Sequence, residues 1–359
     1  MILINPLYVF FCFIFSAVST LIILKIYKKN LKKFTCTPRG PQFIHDGEVC
    51  RFGGLSIFLT FLFISIINFI NETDFRNFFL LFFIISIPTF FVGFLEDITQ
   101  SIVPKFRLLG SMISGVLVVY IFNLSIAELG LERVDFLLEI QLISIFFTIF
   151  CIVYLIQAFN IIDGLNGLSL ATAIISLLAV VVISYELKRY EVFTFSTYLI
   201  FIFLGIFIFN FPSGKIFLGD SGAYLLGLCL SIILITLFDK GQNLFSFVIV
   251  QIIIYTAYEI FRSIIRRLIS KKDELFRADN KHLHSILYAY NLNHFSLNSK
   301  QANIITSSQI IFFQILNFFY VVNFYIDKKM TIIGIFVFVL IYEILYRFIM
   351  VKRNSNLEQ

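Results

Sequence analysis

The sequence predicts an all-α, polytopic membrane protein, a single integral membrane domain over residues 1–359 with about eleven transmembrane helices, N-terminus outside and C-terminus inside. Three observations carry this. The chain is 59% hydrophobic and 14% charged, with a mean hydropathy of +0.93, where a soluble domain is about 25% charged. Its apolar residues fall in blocks of about 16 to 21, close to the roughly 20 that a helix needs to cross a bilayer. Its Lys and Arg residues concentrate in alternate loops. A disordered chain, a secreted disulfide scaffold and a nucleic-acid-binding protein are excluded, because the net charge of +6 sits on a chain that could not stay in water.

The spans follow from the polar breaks between blocks. Span 1 (7–26) has no basic residue before it and Lys28, Lys29, Lys32 and Lys33 after it, which reads as an uncleaved helix rather than a signal peptide. Spans 2 (53–70) and 3 (78–94) are parted by NETDFRN, and span 4 (108–124) follows the polar GFLEDITQ. Span 5 (140–159) lies between the charged ELGLERVDF and FNIIDG, and span 6 (168–183) ends at YELKRYE. Spans 7 (195–211) and 8 (221–238) are bounded by PSGK and DKGQN. Span 9 (244–264) precedes a polar stretch, 265–303, that is too long for an idle connection in a compact bundle. Spans 10 (304–324) and 11 (330–349) are separated by IDKK.

Of the 28 Lys and Arg, 21 fall in or beside the loops after odd-numbered spans and the C-terminal tail, and 7 on the other side. Basic residues accumulate on the cytoplasmic side, so the bias orients the chain. It also places 265–303, with three of the four histidines, in the cytoplasm. The cluster at 28–33 needs no explanation beyond topology and anionic headgroups. The five cysteines, Cys12, Cys36, Cys50, Cys151 and Cys229, form no C-x-x-C pair and give neither a zinc site nor a disulfide framework. The 48 Phe and absence of Trp reflect nucleotide composition and carry no function.

Four polar clusters interrupt the apolar background: Glu96 and Asp97 in GFLEDITQ, Asn160, Asp163 and Asn166 in FNIIDGLNGL, Asp220 in FLGDSGA, and His282 and His284 in RADNKHLHSIL. They follow spans 3, 5, 7 and 9, so all four reach the same face. Carboxylates at membrane depth are costly and usually functional, and oxygen ligands without thiolates suit a hard cation such as Mg²⁺ and, with it, phosphate. The competing account is that a carboxylate at a helix end caps backbone N–H groups. Gly164 and Gly167 permit close backbone approach of a phosphate or base at the start of span 6. His282 and His284, at i and i+2, would not share a helix face and fit an extended segment that presents both rings to one ligand. Glu259 either pairs with Arg262 at i+3 or contacts substrate or a metal shell, whereas Glu343 with Arg347 reads as a plain ion pair. His45 and His294 are incidental.

Taken together, PRGPQFIHDGEVCRFGGLSIF, GFLEDITQSIVPKFRLLG, FNIIDGLNGL, KIFLGDSGAYLLG and YEIFRSIIRR followed by DNKHLHSILY resemble, in order and over nearly the whole chain, the polyprenyl-phosphate N-acetylhexosamine-1-phosphate transferases of glycosyltransferase family 4. The resemblance implies transfer of a sugar 1-phosphate from a UDP-amino sugar to undecaprenyl phosphate with release of UMP. It also implies a bacterial inner-membrane location with the active site on the cytoplasmic face, and a homodimer. By the same resemblance Asn160 and Asp220 hold Mg²⁺ (or Mn²⁺) on the donor diphosphate, Asn166 and Phe217 lie near the uracil, and Asp97 is the second acid of the family's acidic pair. Asp163, His282 and His284 belong to the catalytic set, Glu259 to the substrate-binding set, and Arg107 or Lys105 meets phosphate. Two residues depart from the family: Glu96 replaces the first Asp of the pair, and Ser285 stands where a further His is common. With YEIFRS, these point to the branch that initiates O-antigen or capsule.

The reaction implied is phosphoryl transfer, where positioning and charge neutralisation supply most of the catalysis. Direct attack by the lipid phosphate, with Asp97 as general base or electrostatic organiser, stands beside a covalent acyl-phosphate on an Asp. A transporter or flippase for a nucleotide sugar or lipid-linked sugar is the rival from another class, and it would place polar residues near the midplane and on both faces. A noncatalytic scaffold leaves the clustered acids without a purpose.

Overall fold

A computed structural model describes residues 6–30, 49–70, 76–238, 244–269 and 281–355. The basic residues Lys32 and Lys33, most of the PRGPQFIHDGEV motif with His45, and Arg277 lie outside the described residues. Fourteen helices occupy the described chain, with one isolated parallel bridge, Cys50 to Ile216, and no strand. They are α1 (Pro6–Lys29), α2 (Gly53–Ile70), α3 (Arg76–Thr99), α4 (Pro104–Phe122), α5 (Glu132–Leu138), α6 (Gln141–Ile162) and α7 (Leu168–Glu186) in the first half. The second half holds α8 (Tyr190–Asn210), α9 (Gly219–Phe238), α10 (Ser246–Ile252), α11 (Ile254–Ile269), α12 (Leu283–His294), α13 (Ser299–Phe324) and α14 (Lys328–Ser355).

Ten of these helices are long and apolar enough to cross a membrane, or eleven if α10 and α11 count as one span. That pair corrects the ninth expected span. Instead of one helix over 244–264, α10 and α11 meet at 87°, with Ile253 between them at φ −106° and ψ 19°. The cause is in α11, where Glu259, Arg262, Arg266 and Arg267 put charge on one side of an otherwise apolar helix. A helix with such a charged face favours a membrane boundary over a path through hydrocarbon. At the break Asn317 Nδ2 donates to the Gln251 carbonyl at 2.9 Å, and one turn into α11 the Tyr154 hydroxyl donates to the Ala257 carbonyl at 2.5 Å. Backbone groups freed at membrane depth need such partners. The polar stretch 265–303 contributes the end of α11, then α12, and then the start of α13, where Asn298 and Gln301 form a reciprocal capping box.

Helix α9 is the axis of the bundle, with 89% of its apolar window buried against 28% for α13 and α14. Glycines bring its neighbours close. A Cβ on Gly54 of α2 would lie 2.3 Å from the Gly222 nitrogen, and one on Gly93 of α3 would lie 2.6 Å from Ser221 Cα. Close backbone approach through small residues is how helices pack in lipid. The consequence is that the C-terminal ends of α3, α6 and α8 and the N-terminal ends of α2, α4 and α9 share one end of the bundle. The segment before α2 is strapped there too, through Phe217 N–H to the Cys50 carbonyl (2.7 Å) and Gly53 and Gly54 N–H to the Phe217 and Leu218 carbonyls (3.0 and 2.8 Å).

Candidate active site

Asp97 closes the last turn of α3 and is 2% exposed. Its Oδ1 accepts the Asp220 N–H at 2.7 Å, and its Oδ2 accepts the Ser221 N–H at 3.0 Å and the Ser221 hydroxyl at 2.6 Å. Asp97 is thus the cap of a different helix: α9 has a positive-φ glycine, Gly219 (φ 75°), at its first position, and its exposed N–H groups are satisfied across the bundle. A Cβ on Gly219 would stand 2.6 Å from both Asp97 carboxylate oxygens and 2.3 Å from the Arg51 carbonyl, so only glycine admits this arrangement.

Asp220 turns its carboxylate away from that cap toward two guanidinium groups. Arg107 Nη1 donates to Oδ2 at 2.7 Å, and Arg51 Nη2 lies 3.5 Å from Oδ1 and 3.9 Å from Asp97. Tyr224, one turn along α9, reaches the same Oδ2 at 3.4 Å. Glu96 points to the α3–α4 turn, accepting the Ile102 N–H at 2.8 Å with its other oxygen 3.8 Å from Arg107. The methylene that distinguishes it from Asp is what gives it that reach. Lys105, in the first turn of α4, is exposed and forms no ion pair among the described residues, so of the two basic residues predicted there Arg107 is the one brought to the acids.

The FNIIDGLNGL segment forms the turn between α6 and α7. Asn160 is half-buried in the last turn of α6. Asp163 follows that helix, takes a short hydrogen bond from the Ser169 hydroxyl, and is pushed up to about 7 by burial, with Asp220 adding to the shift. Asn166 donates its backbone N–H to Asn303 Oδ1 (3.0 Å), and Gly167 N–H donates to Asn210 Oδ1 (2.5 Å) while Asn210 Nδ2 reaches the Ile216 carbonyl (2.6 Å). Buried Asn166 Oδ1 and Asn303 Nδ2 have no hydrogen-bond partner among the described residues. Phe217 is half-buried beside this turn.

The two histidines divide. His282 precedes α12 in extended conformation (φ −82°, ψ 151°), and His284 lies within the helix, so the pair straddles a helix start instead of lying in one extended strand. Their rings still stack, with centroids 5.6 Å apart. His284 packs its Nε2 onto Gly164, where a Cβ would lie 2.7 Å away, and burial pulls it down to about 4, so it is neutral at physiological pH. His282 Nδ1 lies 3.0 Å from Glu259 Oε2. Glu259 is therefore not the i, i+3 partner of Arg262, which pairs instead with Glu343 at 2.6 Å. Glu343 also lies 3.7 Å from exposed Arg347, the pair expected from the sequence.

Arg51, Ser221, Asn210, Asn303 and Tyr342 were not singled out by the sequence. Arg51 had a signal in its place between span 1 and span 2 on the basic face, but the other four are ordinary polar residues in apolar helices. Among the described residues no three His, Cys, Asp or Glu side chains group as a metal cage.

Helix ends gather three aspartates, two arginines and a histidine–glutamate pair at one end of the apolar bundle of a multi-pass membrane protein. The family model for glycosyl transferase family 4 matches residues 79–238. The chain belongs to this family, the polyprenyl-phosphate hexosamine-1-phosphate transferases, and that membership lends no support to the transporter alternative. It is 31% identical over 242 residues to an undecaprenyl-phosphate alpha-N-acetylglucosaminyl 1-phosphate transferase of Thermotoga maritima, covering 67% of this chain and 69% of the relative. It is 29% identical over 288 residues to a probable undecaprenyl-phosphate N-acetylglucosaminyl 1-phosphate transferase of Bacillus subtilis, covering 79% and 78%. A phospho-N-acetylmuramoyl-pentapeptide-transferase of Streptococcus agalactiae matches over 161 residues at 29% identity, covering 43% of this chain and 48% of that protein.

Proposed function

We propose that this protein transfers an N-acetylhexosamine 1-phosphate, or a related amino sugar, from a UDP-sugar to undecaprenyl phosphate. The reaction releases UMP on the cytoplasmic face of a bacterial inner membrane and initiates a surface glycan of O-antigen or capsule type. The observation that carries this reading is the meeting of Asp97, Asp163 and Asp220 with Arg51 and Arg107 where α3, α4, α6 and α9 end together. The relatives in Thermotoga maritima and Bacillus subtilis, named for undecaprenyl phosphate and an N-acetylglucosaminyl 1-phosphate, support acceptor and donor class.

The donor set fits Mg²⁺. Asp220 offers a carboxylate and Asn160 an amide oxygen without a hydrogen bond among the described residues; two protein oxygens plus substrate phosphates are the usual way this ion is held. When bound, the ion neutralises charge on the donor diphosphate. Arg107 and Arg51, now on Asp220, are placed to hand their N–H groups to phosphate oxygens when the ligand competes for them. Asp97, enclosed by three donors, supports the role of organiser over that of nucleophile, which favours direct attack by the lipid phosphate. Asp163, near neutrality in its proton affinity, is suited to hold or pass a proton. Neutral His284 positions the Gly164 turn, and His282 is held in place by Glu259 to contact a substrate phosphate.

Purified protein with undecaprenyl phosphate, Mg²⁺ and a panel of radiolabelled UDP-N-acetylhexosamines tests the proposal. A butanol-extractable labelled lipid and stoichiometric UMP are expected with one donor. Absence of lipid product with every donor would overturn it, and label trapped on the protein by UDP-sugar alone would replace direct attack with the covalent route.

A further inference from the structure

The geometry points to Tyr342, in the last membrane helix, as a positioning residue for His282 that acts through Glu259. This rests on the proposed transferase site and extends it to α14, well outside the residues 79–238 that the family model matches.

Glu259 is 2% exposed and Tyr342 is 1% exposed. The Tyr342 hydroxyl donates to Glu259 Oε1 at 2.7 Å, the Leu283 N–H donates to the same oxygen at 2.8 Å, and Oε2 lies 3.0 Å from His282 Nδ1. A carboxylate only accepts, so His282 must present Nδ1–H to it, and the ring is held in one tautomer and one orientation. Enclosed carboxylates keep their place only while each oxygen is satisfied. The phenol supplies a donor that no other described side chain of α14 brings to Glu259, in a chain that places Phe three times as often as Tyr, with 48 against 16. The backbone before His282 is fixed from the same helices, since the Lys281 carbonyl accepts from Arg266 Nη1 (2.6 Å) and from the Tyr346 hydroxyl (3.1 Å). Arg262, paired with Glu343, lies 3.3 Å over the Tyr346 ring and joins α11 to α14. The last helix thus holds the histidine segment from below by its side chains.

Tyr342→Phe keeps the ring and deletes only the donor. At metal sites, removing an outer partner of a carboxylate–histidine pair typically lowers activity 10- to 100-fold; taking the low end of that range, a kcat lower by about tenfold is expected. KM for both substrates should stay within about twofold, because orientation of the ring and not ground-state binding is lost. In a Glu259→Gln background the same change should have no further effect, since Tyr342 acts through that carboxylate. Undiminished kcat, or losses that multiply in the double variant, would overturn the inference, as would a Tyr342→Phe protein that fails to fold. A second measurement is independent of turnover. In protein labelled with ¹⁵N-histidine, the signals lost in His282→Gln should report a protonated Nδ1 in the wild type and a mixture of tautomers in Tyr342→Phe. An unchanged signal overturns the positioning role, whereas an inactive wild type with the expected signals overturns the transferase reading alone.

Discussion

Replacing Asp97 by Asn tests whether this carboxylate is the cap of α9 or only a reagent. The side chain keeps its size, and its Oδ1 can still accept the Asp220 N–H, but the second oxygen becomes an NH₂ facing the Ser221 N–H, which now sits 3.0 Å from an acceptor. One charge-assisted hydrogen bond is lost outright, worth roughly 1.5 to 3 kcal/mol. The Asp220 bond falls from charge-assisted to neutral, about half its strength, and the Ser221 hydroxyl must reverse to accept. Relief from burying a charge beside Asp220 offsets part of this, leaving a net cost of about 2 to 4 kcal/mol. In a chain of 359 residues that corresponds to a fall in Tm of roughly 3 to 5 °C. A thiol-reactive dye reports unfolding in detergent directly, because Cys12, Cys50 and Cys229 are buried. Activity should fall with Tm. An inactive Asp97→Asn protein whose Tm stays within about 1 °C of the wild type would refute the capping argument.

Three further outcomes follow from the same geometry. Gly164→Ala would drive a methyl to 2.7 Å from His284 Nε2, and the overpacking should cost about 1 to 3 kcal/mol and most of the transferase activity, read by Tm and lipid product. Asp163, whose folded value lies near 7 against 3.8 for an ordinary aspartate, contributes stability that is fully present below about pH 4 and is lost as the pH rises through 7. Asp163→Asn should therefore gain on the wild type in Tm across pH 4 to 7, and a difference that does not vary with pH would contradict this. Chelation with EDTA should abolish lipid product, and Mg²⁺ or Mn²⁺ should restore it, while Asp220→Ala should not be rescued by either ion.

Most of the bundle is legible in the sequence because lipid imposes one rule on every span, and run length reports it directly. The failure at α10 and α11 is instructive. Hydropathy averages around a helix, so within 244–264 Ile260 and Ile264 outweigh Glu259 and Arg262, even though Arg266 and Arg267 just beyond continue the same charged face. The site was legible as clusters and not as pairs. Asp97 and Asp220 each announce themselves against apolar surroundings, but nothing local says that one caps the helix bearing the other. Glu259 has a nearby Arg262 and takes its hydrogen bonds from His282, Leu283 and Tyr342 instead. Asn210 and Asn303, which hold the DGLNG turn, look like any polar residue at a helix end.

The cap on α9 also has a meaning for biogenesis. Asp97 and the first N–H that it accepts are 123 residues apart in the chain, so at about 5 to 20 residues per second the carboxylate is made roughly 6 to 25 seconds before its partner. Arg51 is already in place and Arg107 follows soon after, so the charge has counterions before it has its helix. A nascent chain halted before α9 carries an uncovered carboxylate at the lipid boundary and lacks the axis on which the other helices close. The Asp97 cap is completed only when α9, the eighth long helix among the described residues, is threaded.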